Sequence, residues 1–395
     1  MRIWLFASLI LAFDALFLAW ASSYISISKY EADIFFGNSG YLTQITKFSA
    51  SLFGQNDFAI RAPFIFLHFL NALLVVFISK DIVKKREDIL LVLLIFILLP
   101  GVNTSALIVN KAGIIMFFTL VFIYSVKVFS RNAYYILIPM AFLDNAFLYL
   151  FVSLLFYGYY KKEPMLIFIA GLSFIVNFYI FGFDDGGVPE GYFLDIFSTY
   201  AAIFSPLVFL FFIYAIYLQF EKSRDSLHML WFVSTVSFII SLVLSLRQNI
   251  KIEDFAPYAV IFTPFVVYAF FNSYRVRLLE FRRTQKLLFG FVLITLVANT
   301  IVTFYNKPLY LFIKSPQRHF AYEYHFTKEI AEELLKMNID RVVCQNKDFQ
   351  KKLLFYGIKR GGDYILTQRA SNDYFKKIEF SFFDTNINSL YLIKK

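Results

Sequence analysis

Long apolar stretches recur along most of this chain, each near the ~20 residues a helix needs to cross a bilayer core of about 30 Å. They begin at residues 3–22 and resume at Phe64–Ser79, Ile89–Leu107, Ala112–Val126, Leu166–Phe181, Tyr200–Phe220, Leu230–Leu246, Pro257–Phe271 and Leu287–Phe304. Transmembrane strands would show instead an alternation over roughly ten residues per segment, and no such alternation is present. Composition agrees. Hydrophobic residues make up 59% of the 395 residues and charged ones 17%, against about 45–50% and about 25% in ordinary globular domains. The expected fold class is therefore mainly α, a polytopic helical membrane protein.

Charge sorts the loops. The net charge of +10 resides largely in short basic loops between spans, where the positive-inside rule puts it, and this excludes nucleic acid as the natural partner. KDIVKKRED (Lys80–Asp88), Lys127 with Arg131, Lys161-Lys162, Lys222 with Arg224, and the run Arg275, Arg277, Arg282, Arg283 and Lys286 all read as cytoplasmic. The apolar stretch between Arg131 and Lys161 is basic at both ends and interrupted at Asp144-Asn145. Two short helices meeting on the outer side satisfy this; a re-entrant hairpin does so only where protein or a wet cavity covers the break. The sum is about eleven spans with a cytoplasmic amino terminus and an exterior tail. Ala19-Trp20-Ala21 fits a signal-peptide cleavage pattern, but the preceding run is long for such a peptide and carries Asp14, so an uncleaved first helix is expected. An acid within a span costs a few kcal/mol and faces a partner or water. Asp14 is therefore expected to pair inside the bundle.

Residues 1–306 form the expected membrane domain, with an exterior loop at about residues 23–60, and residues 307–395 have soluble composition. In the tail, Thr327–Met337 has amphipathic spacing with Ile330, Leu334 and Leu335 on one face. Arg341–Cys344 reads as a buried strand and Asp348–Tyr356 as a helix closed by Gly357. Asp363–Thr367, Ile378–Phe383 and Leu390–Ile393 read as strands. This order suggests a small α/β domain. Gly361-Gly362 reads as a turn too short for a nucleotide loop.

No HExxH, Walker loop, GxSxG or CxxC occurs, the four histidines do not cluster in sequence, and the single Cys344 excludes an intramolecular disulfide or a cysteine-rich metal site. What remains for chemistry is acids and bases at the outer ends of the helices. The densest set is in Ser28–Pro63, with Glu31, Asp33, Lys47, Asp57 and Arg61 between two spans. A second outer turn is RQNIKIED (Arg247–Asp254), and a third, acidic loop covers Asp184–Asp195.

The segments YEADIFF and SASLFGQNDFAIRAPF resemble the amino-terminal part of the protein O-mannosyltransferase and aminoarabinose-transferase-like superfamily, membrane glycosyltransferases of the GT-C fold. The matching positions are Glu31, Phe53-Gly54, Asn56, Phe58, Arg61 and Pro63, and DFAPYAVIFTP (Asp254–Pro264) is similar to the family's late exterior turn. The resemblance implies transfer of a sugar from a polyprenyl-phosphate donor to a glycan, lipid or protein acceptor of the cell envelope. It places the chain in a bacterial inner membrane with its tail in the periplasm. A carboxylate would take the acceptor proton; Glu31 is the first candidate and Asp33 the second. Positive charge would stabilise the departing lipid phosphate, for which Arg61, Arg247 and Lys251 are candidates. The chain departs from the family at the separated acids Glu31-Ala32-Asp33 and at Asn110-Lys111, where relatives often carry an acid. Fewer acids suit a divalent cation less well, so no metal and no other cofactor is expected. The rival readings are a transporter or flippase for a lipid-linked substrate, and a glycan polymerase or ligase, for which a large loop between late spans would be expected. A non-catalytic relative is the third.

Overall fold

The computed structural model describes residues 2–182, 191–223, 226–313, 315–368, 374–382 and 385–394. Most of the acidic loop Asp184–Asp195, and Arg224, lie outside the described residues. The chain divides into two compact units, drawn differently from a boundary at 306/307. The first unit comprises residues 1–15, 66–106 and 110–300; the second comprises 16–65, 107–109 and 301–395.

The first unit is helical. Among the described residues of the whole chain, six helices are long and apolar enough to cross a membrane: Trp4–Tyr24, Asp57–Ile82, Ala112–Met140, Pro164–Phe181, Ala256–Val276 and Glu280–Phe304. Two bent pairs, Arg86–Leu98 with Pro100–Leu107 (58°) and Phe193–Phe204 with Pro206–Lys222 (102°), raise this to 8 if each is one span. The protein is thus a multi-pass membrane protein, with fewer spanning helices than the eleven expected. The shortfall lies in helices that stop early. Met229–Ser245 has 17 residues. The segment expected to hold two short helices instead holds the end of the helix Ala112–Met140 and, after the break, the helix Phe147–Lys161. The break at Asp144-Asn145 falls where the interruption of the apolar run put it.

Lipid-facing surface is legible in the outward residues. On Trp4–Tyr24, Phe13 and Leu16 are each 72% exposed, and only 17% of the most apolar window of Glu280–Phe304 is buried. A helix apolar all round yet open to its surroundings is matched to lipid rather than to water. The bend at Pro100 has a local cause: proline cannot continue the ladder, and a side chain on Gly101 would lie 2.4 Å from a methyl of Ile203. Inside the bundle, Asp14 meets His68 at 2.7 Å, so the acid in the first span pairs with a histidine.

Ion pairs group the loops as their charges predict. Asp88 takes both contacts from Arg275 Nη2 at 2.7 Å, and Lys127 meets Asp81 at 2.6 Å. Arg131 meets Glu163 at 3.0 Å. Each joins residues expected on the same, basic side.

In the second unit the tail forms the expected α/β domain. Its four strands, β1 (Arg341–Cys344), β2 (Lys359–Thr367), β3 (Lys376–Phe382) and β4 (Thr385–Lys394), lie in the order β1-β2-β4-β3. β1 and β2 are parallel, with the helix Lys347–Phe355 as crossover, and the other pairs are antiparallel. Gly361-Gly362 is not a turn but a bulge inside β2: the register passes from Val342↔Arg360 to Val343↔Ile365. Gly362 has φ +79°, and a Cβ there would stand 2.9 Å from the Arg341 carbonyl oxygen, so the close approach requires glycine. On the helix Thr327–Lys336, Ile330, Ala331 and Leu334 are buried. Leu335, expected on the same face, is 46% exposed.

The first loop belongs to this unit and is fastened to the tail. Ser26 N–H donates to the Tyr324 carbonyl at 2.9 Å, Gln55 Nε2 to the Phe355 carbonyl at 2.6 Å, and the Tyr356 hydroxyl to Asp57 at 2.6 Å. The Phe35 and Phe355 rings meet edge to face.

Candidate active site

The two ends of the first-loop motif are joined. Glu31 lies in a short helix, Lys29–Phe35, started by a capping box: Ser28 Oγ accepts from Glu31 N–H at 3.2 Å and Glu31 Oε2 accepts from Ser28 N–H at 2.9 Å. Arg61 lies in the first turns of Asp57–Ile82. Its Nε and Nη2 donate to the two carboxylate oxygens of Glu31 at 3.1 and 2.8 Å. Both side chains are 0% exposed.

Neither group has capacity left over. A guanidinium carries five N–H donors and a carboxylate about four acceptor sites. Arg61 spends its remaining donors on the carbonyls of Ser22, Ile25 and Ser26 at 2.9, 2.5 and 3.0 Å. Glu31 Oε1 accepts in addition from Val109 N–H at 3.0 Å. The pair closes the loop upon itself, turning the chain after Tyr24 back against the second span. Asp33 is elsewhere: it is 41% exposed and meets Lys351 at 2.6 Å, a surface pair of the kind worth about 0–1 kcal/mol.

Arg247 and Lys251 lie in the first unit, exposed on the turn that ends at Asp254. Asp254 points inward and is 4% exposed. It meets Lys111 Nζ at 2.5 Å, and the same ammonium donates to Asp144 Oδ1 and Asn145 Oδ1, each at 3.0 Å. Three chain breaks, before Ala112, at Asp144-Asn145 and before Ala256, thus converge on one lysine. The break at 144–145 is covered by protein. Asn177 Nδ2 donates to the carbonyls of Ala141 and Asp144 at 2.9 Å, and the Tyr258 hydroxyl to the carbonyl of Ala146 at 2.9 Å. This satisfies backbone that lipid could not.

The electrostatics of this cluster are those of several acids around one cation. Burial pushes the Asp254 carboxyl up, against the pull of Lys111. Burial also raises Glu253, beside it in the chain. Burial alone would pull the Lys111 ammonium down, but Asp254 and Asp144 outweigh it and hold it above its ordinary range. Lys111 and Asp144 keep 11% and 13% of their side-chain surface open, so the cluster is not sealed off by protein. An ionisable group shifted by burial and a specific partner marks a functional-site candidate. Among the described residues no three His, Cys, Asp or Glu side chains are placed to hold a metal ion together.

The sequence marks Lys111 and Asp144 separately without joining them, and marks Asp254 as the end of an outer turn and the start of the segment Asp254–Pro264, not as a site residue. The available signal was that each interrupts or borders an apolar run and all were expected on one side. No protein-family model matches the chain, and no curated protein matches it.

Proposed function

We propose that the protein is a membrane glycosyltransferase that moves a sugar from a polyprenyl-phosphate donor to an envelope glycan, lipid or protein. The observation that carries this reading is the cluster of Lys111, Asp144 and Asp254 at the polar ends of apolar helices, with Arg247 and Lys251 on the adjoining turn. The acceptor hydroxyl attacks the anomeric carbon, the bond from that carbon to the phosphate oxygen breaks, and the electron pair leaves with the lipid phosphate. Asp254, with its raised carboxyl, takes the acceptor proton. Lys111 is a positioning residue, since its donors are already engaged by Asp144, Asn145 and Asp254. Arg247 and Lys251 meet the charge that develops on the phosphate. Glu31 and Arg61 hold the loop in shape, and Asp33 stands outside the reaction.

The reading is supported further by the first-loop resemblance, whose acidic opening and closing arginine are the bonded pair. The purified protein in liposomes carrying a radiolabelled polyprenyl-phosphate sugar and membrane extract should release polyprenyl phosphate in step with labelled acceptor. Absence of both from every sugar tried would overturn the reading.

A second reading, a transporter or flippase for the lipid-linked substrate, is favoured by the two bent helix pairs at 58° and 102°, because broken helices are a transporter device. It predicts movement of the intact donor across the bilayer with no release of polyprenyl phosphate.

A further inference from the structure

A cavity of about 390 Å³ in the second unit opens over the carboxyl ends of β1 and β2. In open sheets with parallel strands, this is where ligands bind. Its floor is apolar and buried, formed by Phe326, Ile330, Cys344, Leu366 and Leu390. Its rim is built from amides and rings: Asn346, Gln368 and Asn388 with Tyr322 and Phe349.

The charged residues at the rim cancel. Lys29 is paired with Asp348 at 2.7 Å. Lys352 stands over the Phe349 ring, 5.7 Å from its centre, with its ammonium near the Glu323 carbonyl. Two lysines therefore face Asp348 and Glu323, with no net charge to attract an anion. Burial lowers Lys352, which the two acids oppose. A phosphate site would need surplus positive charge; this rim has none. Gln368 and Asn388 offer paired donors and acceptors to hydroxyl groups, and Asn346, whose Oδ1 accepts from Asp348 and Phe349 N–H, offers its amide N–H donors. Aromatic rings offer flat apolar faces to the C–H side of a pyranose. The volume lies within the range of small-molecule sites.

We infer that this cavity binds a neutral carbohydrate, of one to three sugar rings, through the amides of Asn346, Gln368 and Asn388 and the rings of Tyr322 and Phe349. This goes beyond the transferase reading, giving the soluble domain a recognition role of its own, and it is measured without any donor.

The test uses the full-length protein in detergent with maltotriose, mannotriose and chitotriose as probes, followed by saturation-transfer NMR, with inorganic phosphate as the control anion. At least one trisaccharide should bind saturably in the millimolar range or tighter. Asn388→Ala and Phe349→Ala should each weaken it at least tenfold, the first with thermal unfolding unchanged and the second with some loss of stability from the packing of Phe349 on the core. Gln368→Trp, at an exposed rim position, should block it while leaving folding intact. Saturable binding of none of the three sugars overturns the inference. So does binding that all three variants leave unchanged, and so does phosphate binding that the sugars fail to displace.

Discussion

At the residue scale the instructive pair is Glu31 and Arg61. An acid in a conspicuous exterior motif invites a catalytic role, yet this one accepts four hydrogen bonds and is wholly buried with an arginine whose five donors are spent. Removing one partner of such a pair strands the other as an unpaired buried charge, at about 3–5 kcal/mol. Glu31→Ala and Arg61→Ala should therefore each lower stability by that order, measured by thermal unfolding in detergent. The double substitution should cost less than the sum of the singles. Additive losses would contradict the account. Sequence carried the two positions and their opposite charges, but thirty residues of chain separate them. Only the fold of the loop between them determines that they meet. Asp33 is two residues on, on the opposite side of the same helix, and is solvated instead, because the helix Lys29–Phe35 turns its Glu31, Ala32 and Phe35 face inward.

At the scale of elements, the tail was legible because its signals are local: strand and helix periods, a glycine stop, and an amphipathic face. The exception was Gly361-Gly362, which a turn and a bulge describe equally well in sequence and which the pairing of β1 with β2 decides. The connection leading into the tail carries a pH-sensitive contact. Tyr310 and His325 Nδ1 are 2.8 Å apart, and burial, with Lys307 and His319 nearby, lowers His325 from 6.5 to about 3. The folded state holds this imidazole neutral, so below 6.5 the unfolded chain binds the proton more readily. Its stabilising contribution is present above about pH 6.5 and fades as pH falls towards 3, by about 5 kcal/mol in total. Thermal unfolding of the full-length protein should weaken over that window, and His325→Gln should flatten the slope. An unchanged slope in the variant would place the sensitivity elsewhere. The spans were less legible than the tail. Hydropathy marks apolar stretches but not where a helix ends: the helix Ala112–Met140 runs on past Lys127 and Arg131 and stops inside the next apolar run.

At the scale of the whole molecule, the chain is a multi-pass membrane protein whose first loop folds with its tail, and its membrane helices bring a lysine and two aspartates from three breaks to one point. Hydropathy and loop charge led to the expectation that all three breaks lie on one side of the membrane. They did not foretell the meeting, because it depends on packing between helices far apart in sequence. On the proposed reading, Glu31 with Arg61 holds the first loop in shape, Asp254 carries the chemistry and Lys111 positions it. The most direct measurement is the rate of sugar transfer from a radiolabelled polyprenyl-phosphate pool, normalised to folded protein, for wild type, Asp254→Asn and Glu31→Gln. Loss of the base should lower the rate by about 10²–10⁴-fold in Asp254→Asn. Glu31→Gln should yield less folded protein, with transfer per folded molecule close to wild type. Full activity in Asp254→Asn together with an inactive but stable Glu31→Gln would contradict the account and return the catalytic centre to the first loop.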